Sequence, residues 1–124
     1  MSRILVVEDN EPNRILVRQI LDHAGHEVLE ATNGSLCLQI ISIHKPELVL
    51  MDLQMPIMDG YGALKELRNL PEFASTKVIA VTAYAMKGDR EKAIAAGFAE
   101  YITKPIDTRM LLSIVNNILN EVKS

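Results

Sequence analysis

Two kinds of apolar pattern alternate along the chain. Short unbroken runs, at Ile4–Val7, Leu48–Met51 and Val78–Val81, are separated by longer stretches in which apolar residues recur every three or four positions. Unbroken runs of Val, Ile and Leu predict strands buried on both faces, and the wider spacing predicts helices with one buried stripe. The first run gives way to Glu8-Asp9-Asn10. Asn10 or Glu11 can cap a helix, Pro12 suits its first turn, and Ile15, Leu16, Ile20 and Leu21 form a stripe that Gly25 ends. Val28 to Ala31 predicts a second, weaker strand closed by Asn33-Gly34. Leu36, Ile40, Ile41 and Ile43 then mark a helix from Ser35 to His44, stopped by Pro46.

Pro56 closes the third strand, and Asp59-Gly60 opens a helix with Leu64 and Leu67 inward and Pro71 beyond its end. Asp59 reads as the cap of that helix rather than as a ligand. The fourth strand ends in Thr82-Ala83, and a helix from Lys87 to Ala96 terminates at Gly97. Tyr101-Ile102-Thr103 forms a short last strand running into Lys104-Pro105. Leu111, Leu112, Val115, Ile118 and Leu119 give a closing helix from Thr108 to Val122. Strands alternating with helices in this way predict an α/β domain, a doubly wound parallel sheet without repeats or linkers.

Parallel strands share a direction, so their carboxyl ends share an edge, and that edge is where open α/β sheets bind ligands. It collects Glu8 and Asp9 after the first strand, Asp52 at the end of the third, Thr82 after the fourth and Lys104 after the fifth. A carboxylate ending a buried strand needs a metal, a basic partner or hydrogen bonds, or must be held neutral. Three carboxylates without a cation repel. An all-oxygen set suits a hard divalent ion, and magnesium, which takes few carboxylates and keeps several waters, is the natural occupant. Lys104 can pair with Asp52 and with phosphoryl oxygens, and the Thr82 hydroxyl can donate to another. Positioning and charge neutralisation are most of what phosphoryl transfer asks of a protein, and Asp52 then becomes the nucleophile of an aspartyl phosphate.

Composition narrows the alternatives. The chain has 124 residues, 48% of them apolar, enough for one domain with a sizeable core. A net charge of −3 gives no general nucleic-acid or membrane surface. The single cysteine, Cys37, excludes an internal disulfide, argues against zinc and reads as helix packing, all of which fits a reduced, cytoplasmic compartment. No stretch reaches the roughly 18 apolar residues of a membrane span, and the start runs straight into a strand. The expectation is a complete unit of one domain over residues 1–124. His23, His26 and His44 stand at helix ends or strand starts, away from the site, and Met51, Met55, Met58 and Met86 read as core and loop fillers. Taken singly, Glu8-Asp9 reads as a solvated loop pair, Thr82 as a strand end and Lys104 as an exposed turn residue; their convergence on one edge favours function. Pro105 can also enforce a cis bond that aims Lys104 inward.

Val6-Val7-Glu8-Asp9-Asn10, Met51-Asp52-Leu53-Gln54-Met55-Pro56, Met58-Asp59-Gly60, Val81-Thr82-Ala83 and Lys104-Pro105 together resemble the receiver domains of two-component response regulators, the CheY-like family, over Arg3 to about Val122. Asn10-Glu11-Pro12-Asn13 and Ala83-Tyr84-Ala85-Met86-Lys87-Gly88-Asp89 are similar to the single-domain DivK type and to receivers fused to hybrid kinases. The resemblance implies a flavodoxin-like fold with strand order 2-1-3-4-5. It implies Asp52 as phosphoacceptor and Glu8 and Asp9 as the acidic pair, with Asp9 the direct magnesium ligand beside Asp52 and the backbone carbonyl of Gln54. It also implies Thr82 and Tyr101 as a switch pair, although Tyr101 by itself reads as half-buried packing, and Lys104 as the phosphate-contacting base.

On that basis the expected function is a phosphorylation-dependent switch of a two-component system or phosphorelay, a phosphoacceptor rather than an enzyme. Its partners would be a histidine kinase or phosphotransfer protein and a downstream protein held by the fourth helix, fifth strand and fifth helix. Neither nucleic acid nor membrane is expected, and the protein would be a monomer or weak dimer. A receiver cut from a hybrid histidine kinase is an alternative. A phosphatase of haloacid-dehalogenase type would need a second acid two residues after its nucleophile, where Gln54 stands. In a flavodoxin-like electron carrier Glu8-Asp9 would repel the flavin phosphate, and no Ser/Thr-rich or glycine-rich cradle is present. Gln54 and Tyr84, by their spacing from Asp52 and Thr82, would flank the approach of water to the phosphorus, and the ring of Tyr84 would slow self-dephosphorylation, the alternative being that Tyr84 is a surface aromatic facing a partner.

Overall fold

Residues along a strand point alternately to its two faces, and this period divides the core of the protein in two. In the computed structural model, which describes residues 2–55, 58–83 and 86–123, five parallel strands stand in the order β2-β1-β3-β4-β5. They are β1 (Arg3–Val7), β2 (Glu27–Ala31), β3 (Leu48–Asp52), β4 (Lys77–Thr82) and β5 (Glu100–Thr103). The helices are α1 (Glu11–His23), α2 (Gly34–His44), α3 (Gly60–Arg68), α4 (Asp89–Ala96) and α5 (Thr108–Lys123), with a short 3-10 turn at Pro71–Phe73. Leu5, Val7, Val49, Met51, Val78 and Ala80 pack on one face against Cys37 and Ile41 of α2, Ala63, Leu64 and Leu67 of α3 and Ala93 of α4. Ile4, Val6, Leu48, Leu50, Ile79 and Val81 pack on the other, against Val17 and Leu21 of α1 and Leu111, Val115, Ile118 and Leu119 of α5.

The expected starts of α1 and α3 hold at the anticipated Asn10 and Asp59 caps, whereas α2 starts at Gly34, one residue before the expected Ser35, because Asn33, read as closing the second strand, caps it. Asn10, Asn33 and Asp59 accept the backbone N–H groups of Asn13, Leu36 and Gly62, fixing α1, α2 and α3. The expected faces of α1 and α2 do not all hold. Ile15 and Leu16 are 41% and 43% exposed while Val17 lies in the core, and Leu36 and Ile43 are exposed while Cys37 and Ile41 are fully buried. Apolar residues run most of the way round both helices, so packing against the sheet, rather than periodicity, selects the inward stripe. α4 begins at Asp89 instead of Lys87, because Gly88 takes a left-handed φ of 89° that interrupts the helix. Among the described residues no helix is long and apolar enough to cross a membrane. The residues read as strand-closing Pro56 and water-path Tyr84 lie outside the described ones.

Candidate functional site: the carboxyl edge of the sheet

β1 and β3 are adjacent in register, with Val7 opposite Met51, so the residues that follow, Glu8 and Asp52, emerge side by side. β5 lies two strands from β3, yet Lys104 reaches back across the edge. Its Nζ stands 2.6 Å from Glu8 Oε1 and 3.1 Å from Asp52 Oδ2. The Lys104–Pro105 bond is cis, and the Lys104 N–H donates to the Thr82 carbonyl at 2.8 Å, which ties the loop to the end of β4. The Asp52 Oδ1 accepts the Gln54 N–H at 2.9 Å. Arg14 of α1 donates to the Glu8 carbonyl and pairs with Glu30 of β2, fixing the loop that carries the acidic pair.

These charges are largely withheld from water. Glu8 and Asp52 are both 4% exposed. Burial, reinforced by the neighbouring Asp52 and opposed by Lys104, pushes the Glu8 carboxyl from 4.5 up to about 7. Lys104 stays charged: burial alone would lower its pKa, and its two carboxylate partners carry it above the ordinary value instead. Glu8, Asp9 and Asp52 each offer an oxygen within 4.8 Å of the others, the one such group among the described residues. An all-carboxylate set with one exposed member, opening on a polar hollow of about 260 Å³ lined also by Asn10, Asn13, Gln54 and Ala83, fits a hard cation that retains water.

Thr82 and Tyr101 lie on the other face. Within β4, Thr82 continues the row Val78, Ala80, which packs toward α4, whereas Asp52 continues the row Leu48, Leu50, which packs toward α1 and α5. Tyr101 shares the Thr82 face, opposite Ala80, with Thr82 opposite Thr103. The Thr82 hydroxyl donates to the Gln54 carboxamide oxygen at 2.7 Å. Tyr101 is half-buried against that core, and its hydroxyl is enclosed with no hydrogen-bond partner among the described residues. Two features of the site were not anticipated from the sequence. The Gln54 side chain, expected to flank the approach of water, lines the acidic hollow and also accepts the Thr82 hydroxyl. At Gly60 a β-carbon would stand 2.9 Å from the Asp52 carbonyl oxygen and from Leu53 Cα, so only glycine lets α3 start this close behind the acidic residue. A glycine directly after a capping Asp was the available signal.

Residues 4–116 match the response regulator receiver domain model. The chain belongs to the response-regulator receiver family. It is 37% identical to the polar-differentiation response regulator DivK of Brucella anthropi over 95% of this chain and 96% of that protein. A CheY-like receiver domain protein from Methanospirillum hungatei superposes with a TM-score of 0.89 at 32% identity, covering 99% of this chain and 97% of the other. The receiver domain of a sensor histidine kinase from Pseudomonas aeruginosa, whose crystal structure has a magnesium ion coordinated in the active-site cleft, superposes with a TM-score of 0.86 at 31% identity over 99% and 98% of the two chains. The chain is thus a two-component phosphoacceptor domain of signal transduction rather than a member of a catalytic enzyme family. Receiver domains of this family interact with histidine kinases and phosphotransfer proteins.

Proposed function

We propose that Asp52 accepts a phosphoryl group from a histidine kinase or phosphotransfer protein, and that residues 1–124 act as one cytoplasmic receiver that changes its protein-binding surface in response. The observation that carries this reading is the buried triad of Asp52, Glu8 and Lys104, with the Lys104 ammonium between the two carboxylates. An Asp52 carboxylate oxygen bonds to phosphorus as the bond from phosphorus to the donor nitrogen breaks. Lys104 is within reach of both Asp52 and incoming phosphoryl oxygens, and supplies a fixed positive charge in a water-poor site. Magnesium held by Asp9, Asp52 and the Gln54 carbonyl, with Glu8 behind, would neutralise the remaining charge on the phosphoryl oxygens.

Thr82 would then turn its hydroxyl to the phosphoryl group, and Tyr101, on the same face of the next strand, would follow into the space released, altering the surface of α4, β5 and α5. That surface is the proposed contact for the downstream protein, with the protein a monomer or weak dimer. The exposed Ile94 of α4 and Met110 of α5 provide apolar area there. A receiver taken from a hybrid histidine kinase would carry the same chemistry. The test is labelling with acetyl phosphate or a kinase in magnesium. Wild type should gain one base-labile acyl phosphate, and none when magnesium is chelated beforehand, and Asp52→Asn should gain none; normal labelling of that variant would overturn the assignment.

A further inference from the structure

Thr82 is 1% exposed, and its hydroxyl meets the carboxamide oxygen of Gln54 at 2.7 Å. Gln54 follows Asp52 by two residues and donates its backbone N–H to Asp52 Oδ1 at 2.9 Å. One residue therefore grips the acceptor carboxylate with its main chain and the Thr82 hydroxyl with its side chain. Thr82 and Asp52 belong to opposite faces of the sheet, and Gln54 bridges the strand ends between them. It lines the acidic hollow and also a second hollow of about 590 Å³ beside Asp59, Tyr61 and Lys92.

We infer that the Gln54 carboxamide is a latch on Thr82 that holds the switch in its resting arrangement, an inference that rests on the switch reading of Thr82 given above. Thr82 cannot donate its one hydroxyl proton both to Gln54 and to a phosphoryl oxygen. Activation is then an exchange of one hydrogen bond for another, so the strength of the first sets part of the resting equilibrium. A neutral hydrogen bond is worth about 2- to 12-fold in such an equilibrium. Gln54 is itself exposed, so water satisfies its carboxamide once released, and the effect belongs near the low end, about three- to fivefold. Gln54 is thus a positioning residue whose side chain acts through Thr82.

The experiment measures binding of beryllofluoride, a phosphoryl mimic, in saturating magnesium, to wild type, Gln54→Leu, Thr82→Ala and the double variant, with the Gln54 carboxamide followed by NMR in the unliganded protein. Gln54→Leu should bind about three- to fivefold tighter than wild type, since Leu offers no acceptor. The same change in the Thr82→Ala background should have almost no effect, and Thr82→Ser should restore it. Without ligand, Thr82→Ala should shift the Gln54 carboxamide resonances and Thr82→Ser should leave them nearly in place. If wild type binds but Gln54→Leu acts equally in both backgrounds, or the carboxamide resonances ignore Thr82→Ala, the latch is overturned and the phosphoacceptor reading stands. If wild type binds no beryllofluoride, the switch reading falls and takes the latch with it.

Discussion

At the amino edge of the sheet, Arg3 at the start of β1 pairs with Glu27 at the start of β2 at 3.2 Å, and their side chains are 42% and 49% exposed. At the carboxyl edge, the Lys104, Glu8 and Asp52 side chains pair at comparable distances but are 13%, 6% and 5% exposed. The bonds are alike and the solvation is opposite. Where water screens both partners, a pair contributes little and either member can be lost. Where water is excluded, each charge depends on the others, and a missing partner leaves an uncompensated ion. The same dependence makes the carboxyl edge chemically useful, because two acids around one ammonium leave excess negative charge that a cation can relieve.

Removing the cation at each edge in turn should expose this difference most strongly. In metal-free protein at pH 8, Lys104→Met is expected to cost about 3–5 kcal/mol of unfolding free energy by urea titration, and Arg3→Ala less than about 1 kcal/mol. At pH 6 the Lys104→Met penalty should shrink, as Glu8 takes up a proton and ceases to repel Asp52. Equal losses at the two edges would erase the comparison.

The pH dependence sharpens it further. Glu8 has a folded pKa of about 7 against an ordinary 4.5, so between those values the folded protein keeps a proton that the unfolded chain releases. Stability from this group is therefore full below about pH 4.5 and declines as pH rises to about 7, by about 3 kcal/mol in total. The sign is opposite to that of a carboxylate stabilised by its partners. Subtracting the stability profile of Glu8→Gln from that of wild type, both in chelator, isolates the term; a difference that rises with pH across this window would contradict it. Magnesium affinity should weaken below pH 7, because the proton and the ion compete for the same acidic cluster.

The smallest effect compares single acids. Asp52→Asn removes one charge from a buried cluster with an excess of them, and metal-free protein should gain about 1 kcal/mol in thermal unfolding. Glu27→Gln at the exposed edge should stay within about 0.5 kcal/mol of wild type. An Asp52→Asn variant less stable than wild type would mean that attraction to Lys104 outweighs repulsion from Glu8.

The strands were legible because a strand buried on both faces must be apolar along its centre, as β1, β3 and β4 are, and the caps Asn10 and Asp59 were legible because a cap acts on backbone within three residues; Asn33, read as closing the second strand, was not recognised as the cap of α2. The carboxyl-edge constellation followed from topology, since parallel strands bring their ends together whatever their separation in sequence. Less was legible where several answers satisfied the same pattern. On α1 and α2, apolar residues cover more than one stripe, and Val17 and Cys37 are interior only because of where those helices settle on the sheet.

By itself, then, the sequence determined the order of elements, the parallel sheet and the identity of the charged residues on its carboxyl edge, because each depends on local pattern and chain direction. Tertiary structure alone decided which charges touch and which are dry. That Lys104 sits closer to Glu8 than to Asp52, that Glu8 is buried while adjacent Asp9 is exposed, and that Gln54 spans from Asp52 to Thr82 all depend on side chains from different strands meeting across the edge. Such contacts are long-range, and their energies depend on desolvation, which no residue carries in its own identity.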